Sequence, residues 1–177
     1  MSQPLNERAV IAPRGAESAT VATGVVGYGS NVVGLDSREL TGSETILLVE
    51  DEAFVREVTV EVLKSAGYAV LIAKNAAEAR TLYDEFFREI DILLSDVILP
   101  DENGRKLALE FRDQNAELPV LLVTGYAEQV EIRAAEPLEC LPKPFSARTL
   151  LQKVRTVLGR KRWISEWYPV RRACGIE

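Results

Sequence analysis

The sequence contains no histidine. That removes imidazole from any acid–base, nucleophilic or metal-binding chemistry, and it rules out a relay through a phosphorylated histidine on these residues. Its two cysteines, Cys140 and Cys174, are too few for a framework of bridges, and such sparing use fits a reducing compartment. No apolar run reaches the length a membrane helix needs. The first residues hold no secretory pattern, since Glu7 and Arg8 lead only to Pro13, Arg14 and Glu17. A cytoplasmic protein without membrane association is the expectation. Positive charge is also short: 21 Lys and Arg stand against 27 Asp and Glu, a net charge of −6. A general nucleic-acid binder would show the opposite balance, so no direct nucleic-acid contact is expected.

What is present is enough apolar material for one core. With 47% hydrophobic residues in 177, the chain has room for one domain with tails. Residues 1–43 are rich in Gly, Ser, Thr, Ala and Val and show no sustained period, so they read as a flexible leader. Within them Gly24-Val-Val-Gly27-Tyr-Gly29 superficially resembles a phosphate loop. It lacks the Gly-Lys-Ser/Thr ending, and it lacks the strand and helix a dinucleotide fingerprint requires.

From Thr45 the texture changes. Thr45–Val49, Tyr68–Ala73, Ile90–Ser95, Leu118–Val123 and Leu138–Leu141 are short apolar runs of the kind that form strands buried on both faces. Between them lie helical spacings: Ala53–Ala66, a segment capped by Asn75 and running to Phe86, Gly104–Gln114, a shorter one over Ala127–Ala135, and a last one capped by Ser146 and closed by Gly159. Strands alternating with helices predict an α/β fold, a doubly wound five-stranded parallel sheet with helices on both faces. Residues 44–159 then form the domain. Residues 160–177 form a basic tail whose Trp163 and Trp167 stand at helical spacing.

In such sheets ligands lie at the carboxyl ends of the strands. The residues there are Glu50 and Asp51 after the first strand, Asp96 after the third, Thr124 after the fourth and Lys143 after the fifth. Crowded carboxylates repel one another, and a hard divalent cation such as Mg²⁺ relieves them. A carboxylate beside such an ion can attack a phosphoryl group, while an ammonium and a hydroxyl hold the phosphoryl oxygens.

Four segments make this pattern specific: Ile46-Leu-Leu-Val-Glu-Asp-Glu52; Ser95-Asp-Val-Ile-Leu-Pro100 with Asn103-Gly104; Val123-Thr-Gly-Tyr-Ala127; and Leu141-Pro-Lys-Pro-Phe145. In this order, residues 45–159 resemble the response regulator receiver domain of two-component signalling, of the type attached to hybrid histidine kinases. The resemblance implies a flavodoxin-like receiver fold with strand order 2-1-3-4-5. Asp96 would be the phosphoacceptor, and Thr124 and Lys143 would engage the phosphoryl group. Asp51, Asp96 and the backbone carbonyl of Ile98 would hold Mg²⁺, with Glu50 acting through water. The Lys143–Pro144 bond resembles one that is cis in the family. The phosphodonor would be a sensor histidine kinase or hybrid kinase, with a histidine phosphotransfer protein as a further partner. The face formed by the fourth helix, fifth strand and fifth helix would signal through phosphorylation-dependent protein interaction, without a DNA-binding output domain.

Two positions depart from the family pattern. Cys140 stands where receivers that switch by rotating an aromatic carry Tyr or Phe, and Tyr126 is the nearest substitute; Glu50 stands where Asp is commoner. The chain is not expected to be an enzyme beyond self-catalysed phosphoryl acceptance and slow dephosphorylation, because Ile98 and Tyr126 flank the path of a hydrolytic water. Two alternatives remain. One is a pseudo-receiver that binds partners without phosphorylation. The other is an aspartyl-phosphate phosphatase, which would need an acid where Ile98 stands.

Overall fold

The structure is a computed structural model, and it describes residues 9–10, 40–125 and 138–159. The elements in chain order are β1 (Ala9–Val10), β2 (Thr45–Val49), α1 (Ala53–Ser65), β3 (Ala69–Ala73), α2 (Ala76–Phe86), β4 (Ile92–Asp96), α3 (Gly104–Gln114), β5 (Val120–Thr124) and β6 (Glu139–Pro142). A last helix, α4, covers residues 147–159.

The sheet has six strands in the order β1-β3-β2-β4-β5-β6. Its five parallel strands, β3-β2-β4-β5-β6, are the expected 2-1-3-4-5 arrangement. The sixth is β1, which lies within the segment read as leader and pairs antiparallel with β3, Ala9 opposite Leu71 and Val10 opposite Val70. The fourth expected helix, Ala127–Ala135, lies outside the described residues, as do the tail and the Gly24–Gly29 cluster.

Continuous apolar runs become central strands because both faces are covered. All five residues of β2, β4 and β5 are buried. One core packs Leu47, Leu71 and Leu93 with Leu82 and Tyr83 of α2 and Leu107 and Phe111 of α3. Tyr83 and Phe111 stack there with ring centroids 3.9 Å apart. The other core packs Ile46, Leu48 and Leu94 with Leu63 of α1 and Leu150 and Val154 of α4. Helices α2 and α3 therefore cover one face, and α1 and α4 the other.

The helix ends follow their sequence signals. The Asn75 side chain accepts from the Glu78 N–H at 2.8 Å, and the Ser146 Oγ accepts from the Thr149 N–H at 3.1 Å. Helix α1 stops where Gly67 adopts φ 95°, a conformation suited to glycine. Parallel pairing then sets the ends level. Val49 lies opposite Ser95, Asp96 opposite Val123, and Thr124 opposite Pro142. The residues that follow are delivered to one rim.

Candidate functional site

The rim gathers every side-chain position expected from the sequence. Asp96 closes β4 and is 9% exposed, and Glu50, just past β2, is 4% exposed. Asp51 beside it is open to solvent. These three each offer a carboxylate oxygen lying within 4.8 Å of the others. Thr124 ends β5 and is buried, and its carbonyl accepts from the Lys143 N–H at 2.7 Å. The Lys143–Pro144 peptide bond is cis.

Lys143 is the central contact. Its Nζ lies 2.8 Å from Glu50 Oε2 and 2.8 Å from Asp96 Oδ2. The other Asp96 oxygen, Oδ1, accepts from the backbone N–H of Ile98 at 3.0 Å. Asp96 is thus gripped from two sides, by a side-chain cation and by the chain's own next turn. Ile98 itself leaves the sheet and is 60% exposed, so no acid or base stands at that position. Cys140, where an aromatic would sit in a rotating switch, is half-buried and packs on the core beneath α2 and α3. Tyr126 lies outside the described residues.

The electrostatics follow from one cation among several acids. Burial pushes the Glu50 carboxyl above its ordinary range; Lys143 opposes this and Asp96 adds to it. Burial also works against the Lys143 ammonium, but its bonds to Asp96 and Glu50 win and hold it above the usual lysine value. Three carboxylates, Glu50, Asp51 and Asp96, share this rim with one ammonium, so the pocket would accept another cation.

The donor set fits Mg²⁺, which takes hard carboxylate oxygens in an octahedron at about 2.0–2.1 Å. Oxygens on one such octahedron stand about 2.9–4.2 Å apart. The oxygens of Glu50, Asp51 and Asp96, all within 4.8 Å of one another, lie near that span.

Three residues around the site carry no motif signal. Arg56 of α1 reaches back so that its guanidinium donates to the carbonyls of Glu50 at 2.8 Å and Asp51 at 2.9 Å, fixing the acidic turn. Asp101 and Arg80 tie the chain after Asp96 to α2. A helix arginine six residues from an acidic turn is indistinguishable in sequence from a solvated one.

A doubly wound parallel sheet with an acidic pocket and a lysine at its carboxyl rim defines the class. The model of the response regulator receiver domain matches residues 46–155, and the chain belongs to that family. It is 39% identical over 126 residues to the sensor kinase CckA of Brucella abortus, covering 70% of this chain and 13% of that protein. It is 33% identical over 121 residues to the transcriptional regulatory protein CpxR of Klebsiella pneumoniae, covering 67% of this chain and 50% of that protein. The chain therefore spans half or less of these relatives' length. Among solved structures, the receiver domain of the hybrid histidine kinase CckA aligns with a TM-score of 0.57 at 36% identity, over 64% of this chain and 98% of that one. A receiver domain protein from Clostridium thermocellum, at 23% identity and a TM-score of 0.64, supports the fold alone. This is a receiver domain of two-component signalling, related to receivers of hybrid kinases. Such a domain is generally a phosphoryl-accepting signalling module.

Proposed function

We propose that residues 44–159 accept a phosphoryl group on Asp96 from a histidine on a partner protein. The observation carrying this is the grip on Asp96, a carboxylate at the rim with Lys143 at 2.8 Å on one oxygen and the Ile98 N–H at 3.0 Å on the other. A carboxylate oxygen of Asp96 forms the new bond to phosphorus while the P–N bond of phosphohistidine breaks. The imidazole leaves with its electron pair and keeps or takes up a proton. Lys143 moves from pairing carboxylates to pairing phosphoryl oxygens, and the Thr124 hydroxyl, at the same rim, donates to another. Mg²⁺ supplies charge neutralisation when bound; Asp51, Asp96 and the Ile98 carbonyl would hold it, with Glu50 acting through water. The donor histidine belongs to a sensor or hybrid kinase or a phosphotransfer protein, a reading supported by the similarity to receivers of hybrid kinases. Output is through phosphorylation-dependent protein contacts of a cytoplasmic protein.

The test uses Mg²⁺ and acetyl phosphate, which need no partner. The expected product is an acid-stable, base-labile adduct on the wild type and none on Asp96→Asn. No adduct on the wild type, with a known receiver labelling in parallel, would overturn the assignment.

Exposed apolar side chains support a docking surface for the donor at this rim. Phe54 is 73% exposed and Val58 46% exposed, together on α1 directly after the acidic turn, and Ile98, two residues past Asp96, is also exposed. A histidine can reach Asp96 only if its protein covers this rim, and exposed apolar side chains there are its natural contacts. Phe54→Ala is expected to slow phosphotransfer from a cognate kinase roughly tenfold, the scale of a lost aromatic contact. Labelling by acetyl phosphate should stay at the wild-type rate. Equal slowing of both donors would mean that Phe54 supports the pocket rather than the partner.

A further inference from the structure

Seven residues, Val97–Asn103, lead from Asp96 to α3 and include the Ile98 carbonyl proposed as a ligand. Inside this loop the bonds are few: Leu99 N–H to the Glu102 carbonyl at 3.2 Å, and Gly104 N–H to the Val97 carbonyl at 2.8 Å. At its start the Val97 N–H donates to the Val123 carbonyl of β5 at 2.8 Å, and further along its ties run sideways to α2. Asp101 Oδ1 accepts from the Ala76 N–H at 2.9 Å, and Oδ2 accepts from the Ala77 N–H at 3.0 Å. A helix leaves its first N–H groups without intrahelical partners, and its positive end favours a carboxylate. Asn75 serves one of them locally, through Glu78 N–H. Asp101 serves two from a distant loop, and these bonds hold its carboxyl below the ordinary aspartate range.

One turn further along α2, Arg80 makes a fork. Its Nε and Nη2 reach the two oxygens of Glu110 at 2.8 and 2.6 Å, and Nη2 also pairs with Glu102 of the loop. Glu102 in turn accepts from Lys106 Nζ at 2.6 Å. The loop is therefore held to α2 at two adjacent residues by charge-assisted bonds. None of these groups touches the pocket.

We propose that Asp101 and Arg80 are positioning residues, and that through them α2 sets the placement of the Ile98 carbonyl and the Ile98 N–H around Asp96, and so the pocket's affinity for Mg²⁺. The inference rests on the phosphoacceptor reading above. Outer contacts that orient ligands are worth about 10–100-fold in metal affinity in comparable sites. The clamp is the polar link from α2 to a pocket it does not line, beside the burial of Leu99 in the core that α2 covers.

The experiment is calorimetric titration of the full chain with MgCl₂, without phosphodonor, alongside amide hydrogen exchange. Asp101→Ala is expected to weaken Mg²⁺ binding roughly tenfold and to speed exchange at Ala76, Ala77 and Ile98. Asp101→Asn, which keeps one acceptor oxygen, should fall between it and the wild type. Asn75→Ala is the control for helix stability. It uncaps the same helix end and lowers the melting temperature, but should leave Mg²⁺ affinity within twofold. An equal loss in Asn75→Ala, or none in Asp101→Ala, would overturn the clamp. If Asp101→Ala melts below the assay temperature, Arg80→Gln carries the same expectation and the same refutation. Asp51→Ala separates the two levels. If it keeps Mg²⁺ affinity, the site reading itself is wrong; if it loses affinity while Asp101→Ala does not, only the clamp is.

Discussion

Lys143→Ala is expected to separate two properties that the rim combines: it should bind Mg²⁺ more tightly than the wild type and accept a phosphoryl group far more slowly. In the resting pocket the lysine ammonium lies 2.8 Å from both Glu50 and Asp96, so it occupies the charge a metal ion would neutralise. Removing a cation from between two ligand carboxylates raises their attraction for another one. A tenfold gain in affinity, about 1.4 kcal/mol, is a modest expectation at the effective dielectric of a partly open site. Phosphoryl acceptance should fall roughly a hundredfold, the usual cost of deleting one positioned partner of developing oxyanion charge. The metal-free variant should also be less stable, because it leaves two acids without their cation. Lys143 is raised above the ordinary lysine value, so its contribution is complete below about pH 10.4 and is lost only as pH rises through the folded value. Glu50 is also raised, which has the opposite meaning for an acid. Its favourable state is the protonated one, present below about pH 4.3 and lost as pH climbs through the folded value. The stability deficit of Lys143→Ala should therefore shrink as acid protonates Glu50. Thermal melts at neutral and acidic pH, with and without Mg²⁺, measure all of this. Weaker Mg²⁺ binding in the variant would show that Lys143 organises the acids rather than competing for them.

The elements that were legible in sequence are those whose residues answer to one local rule. Thr45–Val49 is a strand because both faces are covered, and a continuous apolar run reports that directly. Gly104–Gln114 shows one apolar stripe, Leu107, Ala108 and Phe111, and all three are buried. Asn75 and Ser146 cap helices within three residues of their partners, a reach visible in a sequence window. The rim residues were legible because level strand ends turn a topological rule into a list of positions. Edges blurred where pairing outlasts the apolar run. Asp96 and Thr124 read as residues after their strands, yet both stay in the ladder as its last members. What sequence could not show are contacts whose partners are remote. Asp101 finds Ala76 and Ala77 across 25 and 24 residues, and Arg80 finds Glu110 across 30. The pairing of Ala9–Val10 with β3 involves two residues, too few to display any period. A solvated surface charge and one that clamps a loop look alike until the fold brings the partners together.

Gly104→Ala should be among the most damaging single-methyl additions in the domain. In an ordinary helix the change stabilises by up to about 1 kcal/mol, because alanine loses less backbone entropy on folding. Here the sign reverses. A Cβ on Gly104 would stand 1.9 Å from the backbone oxygen of Asp96, 3.0 Å from its carbonyl carbon and 2.8 Å from Ser95 Oγ. The crowded atoms are strand backbone, held by the ladder to β5 and by the Gly104 N–H bond to Val97, so they cannot step aside as a flexible side chain would. Either α3 moves outward and opens the core around Leu107, or the end of β4 shifts and takes Asp96 with it. Overpacking of this kind costs about 2–4 kcal/mol. That corresponds to a fall in melting temperature on the order of 5–15 °C. The functional loss should exceed the structural one. The displaced carbonyl belongs to the proposed phosphoacceptor, and acetyl phosphate labelling should drop even where the variant remains folded. Gly159→Ala makes the comparison fair. Its added Cβ meets nothing within 4 Å, so its melting temperature and labelling should match the wild type. If Gly104→Ala were equally silent, the close approach of α3 to Asp96 would be slack rather than a constraint. The glycine beside Asn103 would then serve the turn alone.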